Sequence, residues 1–219
     1  MELTNLKRLR KIVPGSIFLF FCMPMYQYAT HNLFVVDESL KFTIGSYGAA
    51  IAFVIGTLFS NLKIRAYRNE KSHKLIDDNI KTKLIEYGLT TGQTPEKIDE
   101  VKSSKQLMHI FYHFIDNDAS LKEKGKLVRD NGLTWTSTAD MAILGCIFCW
   151  IYFVLILFFG PESIFVSAGL MIGCLGLISG AILHPRSVKE HIKLSDEQIG
   201  FIITNYRSEL QTRVTALFI

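Results

Sequence analysis

The sequence lacks the motifs by which common nucleotide-dependent and hydrolytic enzymes are recognised. It contains no G-x-x-x-x-G-K-[ST], no G-x-S-x-G and no G-x-G-x-x-G, so the P-loop, nucleophile-elbow and dinucleotide-binding classes are excluded. No nucleophile can be paired with a plausible base. We therefore predict no catalytic residues, no cofactor and no enzymatic activity.

Cysteine is scarce, and its placement argues against redox and metal chemistry. All four cysteines lie in hydrophobic stretches: Cys22, Cys146, Cys149 and Cys174. A reactive C-x-x-C needs a polar setting that stabilises the thiolate, so we interpret these residues as small apolar fillers and exclude a disulfide scaffold. His109 and His113 stand one helical turn apart, but no Glu or third His completes a zinc motif. We predict no metal site.

Charge is absent from four long hydrophobic stretches. They run through residues 12–28, 42–62, 141–159 and 164–183, and none contains Lys, Arg, Asp or Glu. A helix of roughly 20 apolar residues crosses the hydrocarbon core of a bilayer, where every backbone group must be paired internally. The sequence therefore predicts four transmembrane helices. The missing intramembrane acids also argue against a proton relay or an ion-coupled transporter.

Positive charge predicts the orientation of these helices. More than half of the 24 Lys and Arg residues lie between Lys63 and Arg129, whereas the short turn after the first stretch carries Asp37 and Glu38. Short loops rich in Lys and Arg stay in the cytoplasm. We expect both termini and the long central segment to be cytoplasmic, in a multi-pass protein of the inner (plasma) membrane.

The predicted fold class is all-α: a polytopic membrane protein with four transmembrane helices in two hairpins and a cytoplasmic helical bundle. Residues 1–62 form the first hairpin and residues 139–184 the second. Residues 63–138 form the cytoplasmic helical segment, and residues 185–219 form a cytoplasmic C-terminal amphipathic helix.

Capping signals divide the cytoplasmic segments into helices. The helix after the second stretch should end near Gly88, and Thr94 followed by Pro95 is typical of a helix start. A helix over Leu121–Asp130 should end at Asn131-Gly132. Thr136, Ser137, Thr138 and Asp140 should then cap the third span.

After Pro185 the chain should turn back into water. Ser195 with Gln198 resembles a capping box, which would start the C-terminal helix. The apolar face of that helix either packs on the central bundle or pairs with a second copy.

Small residues form matching stripes on the second and fourth stretches. At about 100° per residue, offsets of four, three and four keep each set on one face. The stripes are Gly45, Ala49, Ala52 and Gly56, and Gly169, Gly173, Gly176 and Gly180. Such stripes let membrane helices approach closely, so we predict helix packing there.

A basic and aromatic cluster precedes the third stretch. Its candidate ligand-binding residues are Lys122, Lys126, Arg129, Asn131 and Trp135. Arg forks and Lys charges suit an anionic, nucleotide-type ligand or a lipid headgroup. The alternative is ordinary anchoring by positive charge, with Trp135 at the membrane interface.

The layout resembles small bacterial membrane effectors of anti-phage nucleotide signalling, in which a few spans are joined to a cytoplasmic helical sensor. The resemblance lies in the paired hairpins, the helical segment between them, and the stretches Phe111–Asp116 and Asn131–Thr136. It implies a homo-oligomeric channel or membrane-perturbing effector that is gated from the cytoplasm by a ligand or a protein partner. The alternative function is a non-conducting scaffold that recruits a cytoplasmic partner.

Overall fold

The computed structural model describes residues 3–30, 44–62, 64–90, 92–161 and 163–219, and these ranges contain helices and no strand. The all-α prediction is confirmed. The helices are α1 (Leu3–Tyr28), α2 (Ile44–Asn61), α3 (Ile64–Gly88), α4 (Pro95–Ser103), α5 (Gln106–Asn117), α6 (Ala119–Phe159), α7 (Ile164–Ile178), α8 (His184–Asn205) and α9 (Arg207–Thr215). The predicted turn with Asp37 and Glu38, the first two residues of the second predicted span, and positions 63 and 162 lie outside the described residues.

The chain divides into two compact units. The first, which we call the apolar unit, comprises the described residues of 2–69 and 133–186. The second, the polar unit, comprises those of 70–132 and 187–219. The chain passes between the units three times, each time within a helix: α3, α6 and α8.

Among the residues that the structure describes, two helices are long and apolar enough to cross a membrane. They are α6 and the continuous helix over Ile164–Asn205. In the most apolar 18-residue segment of α6 only 22% of the residues are buried, and in that of Ile164–Asn205 only 28%. The apolar part of α2, Tyr47–Asn61, is shorter, and Pro14, Pro24 and Gln27 interrupt the apolar sequence of α1. Four membrane-length helices are therefore not established.

The predicted helix end at Asn131-Gly132 is wrong, because α6 continues through it to Phe159. Asn131 donates from Nδ2 to the Ser187 carbonyl (2.9 Å) instead of ending the helix, and Gly132 is buried. Tertiary contacts override the weak helix propensity of these two residues.

The predicted cap of the third span is also wrong, since Thr136 and Asp140 lie inside α6. Thr136 and Thr138 donate to carbonyls three residues earlier, those of Leu133 and Trp135. Asp140 bonds to Arg65, as described below.

No break occurs at Pro185 either. A π-helical segment, Ser179–Leu183, joins α7 to α8, and the His184 N–H donates to the Ser179 carbonyl. Pro185 is the second residue of α8 and lies inside the continuous helix over Ile164–Asn205, so the helix passes through a residue that has no backbone donor. Ser195 donates to the His191 carbonyl (2.9 Å) in mid-helix, so the predicted capping box is wrong.

The apolar unit is built around an aromatic and aliphatic core. Its buried members are Phe21, Phe59, Leu144, Phe148, Tyr152, Phe165, Ala168 and Ile172. The Tyr152 hydroxyl donates to the Phe21 carbonyl (2.6 Å), and the Phe148 ring meets those of Phe18 and Phe21 edge-on. These contacts join α1 to α6.

The polar unit confirms several predicted helix boundaries. α3 ends at Gly88, and Thr94 caps α4 by accepting from the Lys97 N–H with Pro95 next to it. Asp118 follows α5 and accepts from the Leu121 N–H (2.8 Å) at the start of α6.

The C-terminal segment packs within the polar unit. Leu210 and Val214 are fully buried, and a Cβ on Gly88 would touch Val214. Of the two alternatives for this face, packing on the helical unit is the observed one.

Candidate functional site

The basic candidates in the polar unit share one face of α6. Lys122, Lys126 and Arg129 follow one another at four and three residues, which is one helical stripe. Lys122 and Lys126 are exposed, and Lys126 Nζ lies 2.6 Å from Glu123 Oε1. The hydrogen bond and charge of Lys126 lower the pKa of the Glu123 carboxyl, so Lys126 is already paired.

Arg129 differs from these lysines because it is half-buried and its Nε makes no hydrogen bond among the described residues. Its Nη1 lies near Gly125, where an added Cβ would be 3.5 Å from it and 3.7 Å from Gln198 Nε2. Gln198 is buried on α8. The Arg129 guanidinium and the Gln198 amide therefore flank Gly125. The sequence did not predict the Gln198 amide as part of this site.

The remaining two candidates do not join that stripe. Asn131 lies nine residues after Lys122, on the opposite side of α6, and bonds to the Ser187 carbonyl. Trp135 belongs to the apolar unit and is only 3% exposed. Its carbonyl lies 3.3 Å from His184 Nδ1, and the two rings are 6.5 Å apart. Trp135 is a packing residue here and not an exposed interface anchor.

The glycine stripe of α7 lies against α6. An added Cβ would meet Tyr152 Cβ from Gly169 and Cys149 Sγ from Gly173, each at 3.1 Å. Gly145 and Gly176 approach backbone to backbone, since a Cβ on Gly145 would be 2.7 Å from the Gly176 Cα. Glycine is required at this crossing because no side chain fits between the helices.

The stripe of α2 is used in part. A Cβ on Gly56 would clash with the Lys11 carbonyl, and one on Gly15 would clash with the carbonyl of Ala52. Ala49 is exposed, and Gly45 lies at the start of α2. The contact of α1 with α2 therefore depends on Ala52 and Gly56.

An apolar groove of about 590 Å³ opens between α6 and α7. Its lining contains no charged side chain, and Gly180 forms part of it. The lining residues are Ala142, Ile143, Cys146, Cys149, Trp150, Gly173, Gly176, Leu177, Gly180 and Ala181.

His113 takes part in an interhelical polar cluster of the polar unit. Its Nε2 lies 2.8 Å from Arg213 Nη2 and 3.6 Å from Glu209 Oε1, both on α9. Its Nδ1 lies 3.1 Å from Asn117 Nδ2. Both ring nitrogens are thus engaged by protein groups. No group of three or more His, Cys, Asp or Glu side chains suits a metal ion in the part of the chain that the structure describes.

A buried ion pair in the apolar unit was missed by the sequence analysis. Arg65 donates from Nε to Asp140 Oδ1 (2.8 Å) and from Nη2 to Oδ2 (2.5 Å), and the Asp140 side chain is 1% exposed. Arg65 Nη2 also donates to the Arg10 carbonyl (2.9 Å). These contacts tie α1, α3 and α6 together.

A signal for this pair was present in the sequence. Arg10 stands two residues before the first hydrophobic stretch, Arg65 three after the second, and Asp140 one before the third. Opposite charges on neighbouring helices can form an ion pair when they lie at the same depth relative to the hydrophobic stretches.

Comparison with models of protein families, with curated proteins and with solved structures finds no match to this chain.

Proposed function

We propose that this chain is a homo-oligomeric inner-membrane channel or membrane-perturbing effector that is gated by a cytoplasmic ligand or partner, in anti-phage defence. The proposal includes four spans in two hairpins, with both termini in the cytoplasm. It includes no enzymatic step.

The observation that carries the proposal is the exposure of apolar side chains on the helices of the apolar unit. Leu157, Phe158, Leu170 and Leu177 are each at least 68% exposed, and Trp150 is 66% exposed. Soluble monomers rarely expose contiguous apolar surface on this scale, and such surface is characteristic of membrane or subunit contact. Lipid is the partner that suits helices of this length.

Gating is supported by the connection between the two units. A ligand shifts an equilibrium only when it binds the two states with different affinity. Each of the helices α3, α6 and α8 passes once from one unit into the other, so a change in the polar unit has a helical path to the spans. Arg129, whose buried Nε has no hydrogen-bond partner among the described residues, is the group we assign to an anionic signal.

Flux through proteoliposomes tests this function. We expect release of an entrapped dye or potassium when a panel of mono-, di- and cyclic nucleotides is added, and a multimer of defined mass in the same detergent-purified sample. A monomer that leaks under no condition but retains a cytoplasmic protein would support the scaffold alternative instead.

Variants test the assignment of Arg129 separately. Arg129→Ala should abolish nucleotide-dependent flux and leave the oligomer mass unchanged. Arg207→Ala is the matched control, because Arg207 is an exposed arginine of the same unit. Trp135→Ala should also abolish flux, since it removes a buried packing residue from the helix that carries Arg129. Full flux in Arg129→Ala would place the sensor elsewhere.

A further inference from the structure

The charges around the buried ion pair of the apolar unit do not balance. Arg65 is satisfied by Asp140 and by the Arg10 carbonyl, but the Arg10 side chain makes no ion pair among the described residues. Its Nε is inaccessible to solvent and has no hydrogen-bond partner there. The Arg10 guanidinium therefore lies near the charge of Arg65 and has no carboxylate of its own among the described residues.

The two arginines are close enough to disturb each other. Burial, followed by the charge of Arg65, lowers the pKa of the Arg10 guanidinium. Both causes disfavour the charged form of a group that stays protonated in proteins. Because Nε is closed to solvent, a ligand meets the Nη end of the Arg10 guanidinium, where the neighbouring charge of Arg65 favours an anionic acceptor.

The position of the arginines identifies the class of anion. All three helices that contribute to the cluster reach it next to a hydrophobic stretch, which is the depth of lipid phosphates in the proposed membrane placement. Basic pockets between membrane helices at the cytoplasmic surface bind anionic headgroups. Guanidinium forks match phosphate oxygens with two parallel hydrogen bonds.

We propose that Arg10, supported by Arg65, binds the phosphate of one anionic phospholipid. Arg65 positions the site by holding α1 through the Arg10 carbonyl and α6 through Asp140. The lipid phosphate accepts from the Arg10 guanidinium and neutralises the excess charge. The proposal rests on the membrane placement above and is independent of channel activity, so absence of flux would leave it intact.

Thermal unfolding of the full chain in an uncharged maltoside detergent tests the site. The probes are dioctanoyl phosphatidylglycerol, dioctanoyl phosphatidylcholine and inorganic phosphate at equal concentrations. We expect phosphatidylglycerol to raise the unfolding temperature in a saturable way, and the other two to have little effect. An equal response to inorganic phosphate would overturn the lipid assignment, and no response to phosphatidylglycerol would overturn the site.

Two variants on α1 distinguish a specific site from diffuse attraction. Arg10→Gln should weaken phosphatidylglycerol binding about tenfold or more, because the fork to phosphate is lost. Arg8→Gln removes the same charge from an exposed position two residues away and should bind as the parent does. Equal weakening in both variants would refute the proposal.

Arg10→Lys is a second test of the same site, which remains informative if Arg10→Gln does not fold. It retains the charge but not the fork, so binding should fall between that of the parent and that of Arg10→Gln. Native mass spectrometry should find one retained phosphatidylglycerol per chain in the parent and in Arg8→Gln. Retention of that lipid by a folded Arg10→Lys at parental affinity would contradict recognition by the guanidinium fork.

Discussion

The crossing of α6 and α7 gives the sharpest test of the packing. A Cβ on Gly145 would lie 2.7 Å from the Gly176 Cα and 3.2 Å from the Ile172 carbonyl oxygen, and both are backbone atoms. Ordinary contacts between carbon atoms are about 3.5–4.0 Å, so Gly145→Ala must move the two helices apart by about 1 Å. Overpacking of this kind typically costs 1–3 kcal/mol.

Two other glycines supply a graded comparison. A Cβ on Gly173 would meet only the Cys149 Sγ, at 3.1 Å, and one on Gly200 would meet nothing within 4 Å. Alanine is a better helix former than glycine by about 1 kcal/mol. Gly200→Ala should therefore stabilise the protein, Gly173→Ala should change its stability little, and Gly145→Ala should destabilise it.

The assay is thermal unfolding of the detergent-purified variants, followed by circular dichroism at matched protein concentration. An overpacking cost of about 1–3 kcal/mol less the gain of about 1 kcal/mol in helix propensity leaves a net cost of up to about 2 kcal/mol in Gly145→Ala. For a chain of this size the unfolding temperature then falls by up to roughly 4–8 °C. If Gly145→Ala unfolds at or above the temperature of Gly200→Ala, the close approach of the two helices is not present in solution.

Three further predictions concern topology, acid stability and the core. Reporter fusions at Gly92 and at the C-terminus should both behave as cytoplasmic, and a periplasmic signal from either would reverse the orientation. Bonds from Tyr206 and from the Leu121 amide lower the pKa of Asp118, so its contribution to stability is present above the ordinary value of 3.8 and is lost as pH falls through the lowered pKa. Asp118→Asn should unfold at a lower temperature than the parent at pH 7, and its unfolding temperature should fall less steeply below pH 4. An equally steep fall in the variant would show that the Asp118 carboxyl does not contribute to acid sensitivity. Tyr152→Phe removes the bond to the Phe21 carbonyl and should cost about 1 kcal/mol, read from the same unfolding curves, where an unchanged midpoint would show that the bond contributes nothing.

Features that depend on neighbouring residues were predictable from the sequence. Thr94 and Pro95 start a helix because the cap and the fixed proline φ act within one turn, and α4 begins there. The end of α3 at Gly88 was predicted in the same way. All-α character followed from long apolar stretches and helical periodicity.

Features decided by distant contacts were not predictable in this way. Asn131-Gly132 has the local chemistry of a helix end, but the bond from Asn131 to Ser187 spans 56 residues of sequence. Asp140 looked like a capping residue, yet its partner Arg65 lies 75 residues away. The basic candidates were found by composition, whereas the position of Gln198 beside Gly125 depends on how α8 packs in the polar unit.

The π-helical segment between α7 and α8 contains one residue more than a regular α-helix would need there. A π-turn contains one more residue than an α-turn, and each residue advances the helix by about 100°. Deleting one residue from Ser179–Leu183 would let this turn wind as a regular α-turn and would leave His184 at nearly the same angle about the helix axis. Inserting one residue would instead rotate His184 by about 100°, away from the Trp135 carbonyl. Insertions should therefore be tolerated at the Gly160 turn, where φ is 86° and an added Cβ would meet nothing, but not in the π segment, which already accommodates one extra residue.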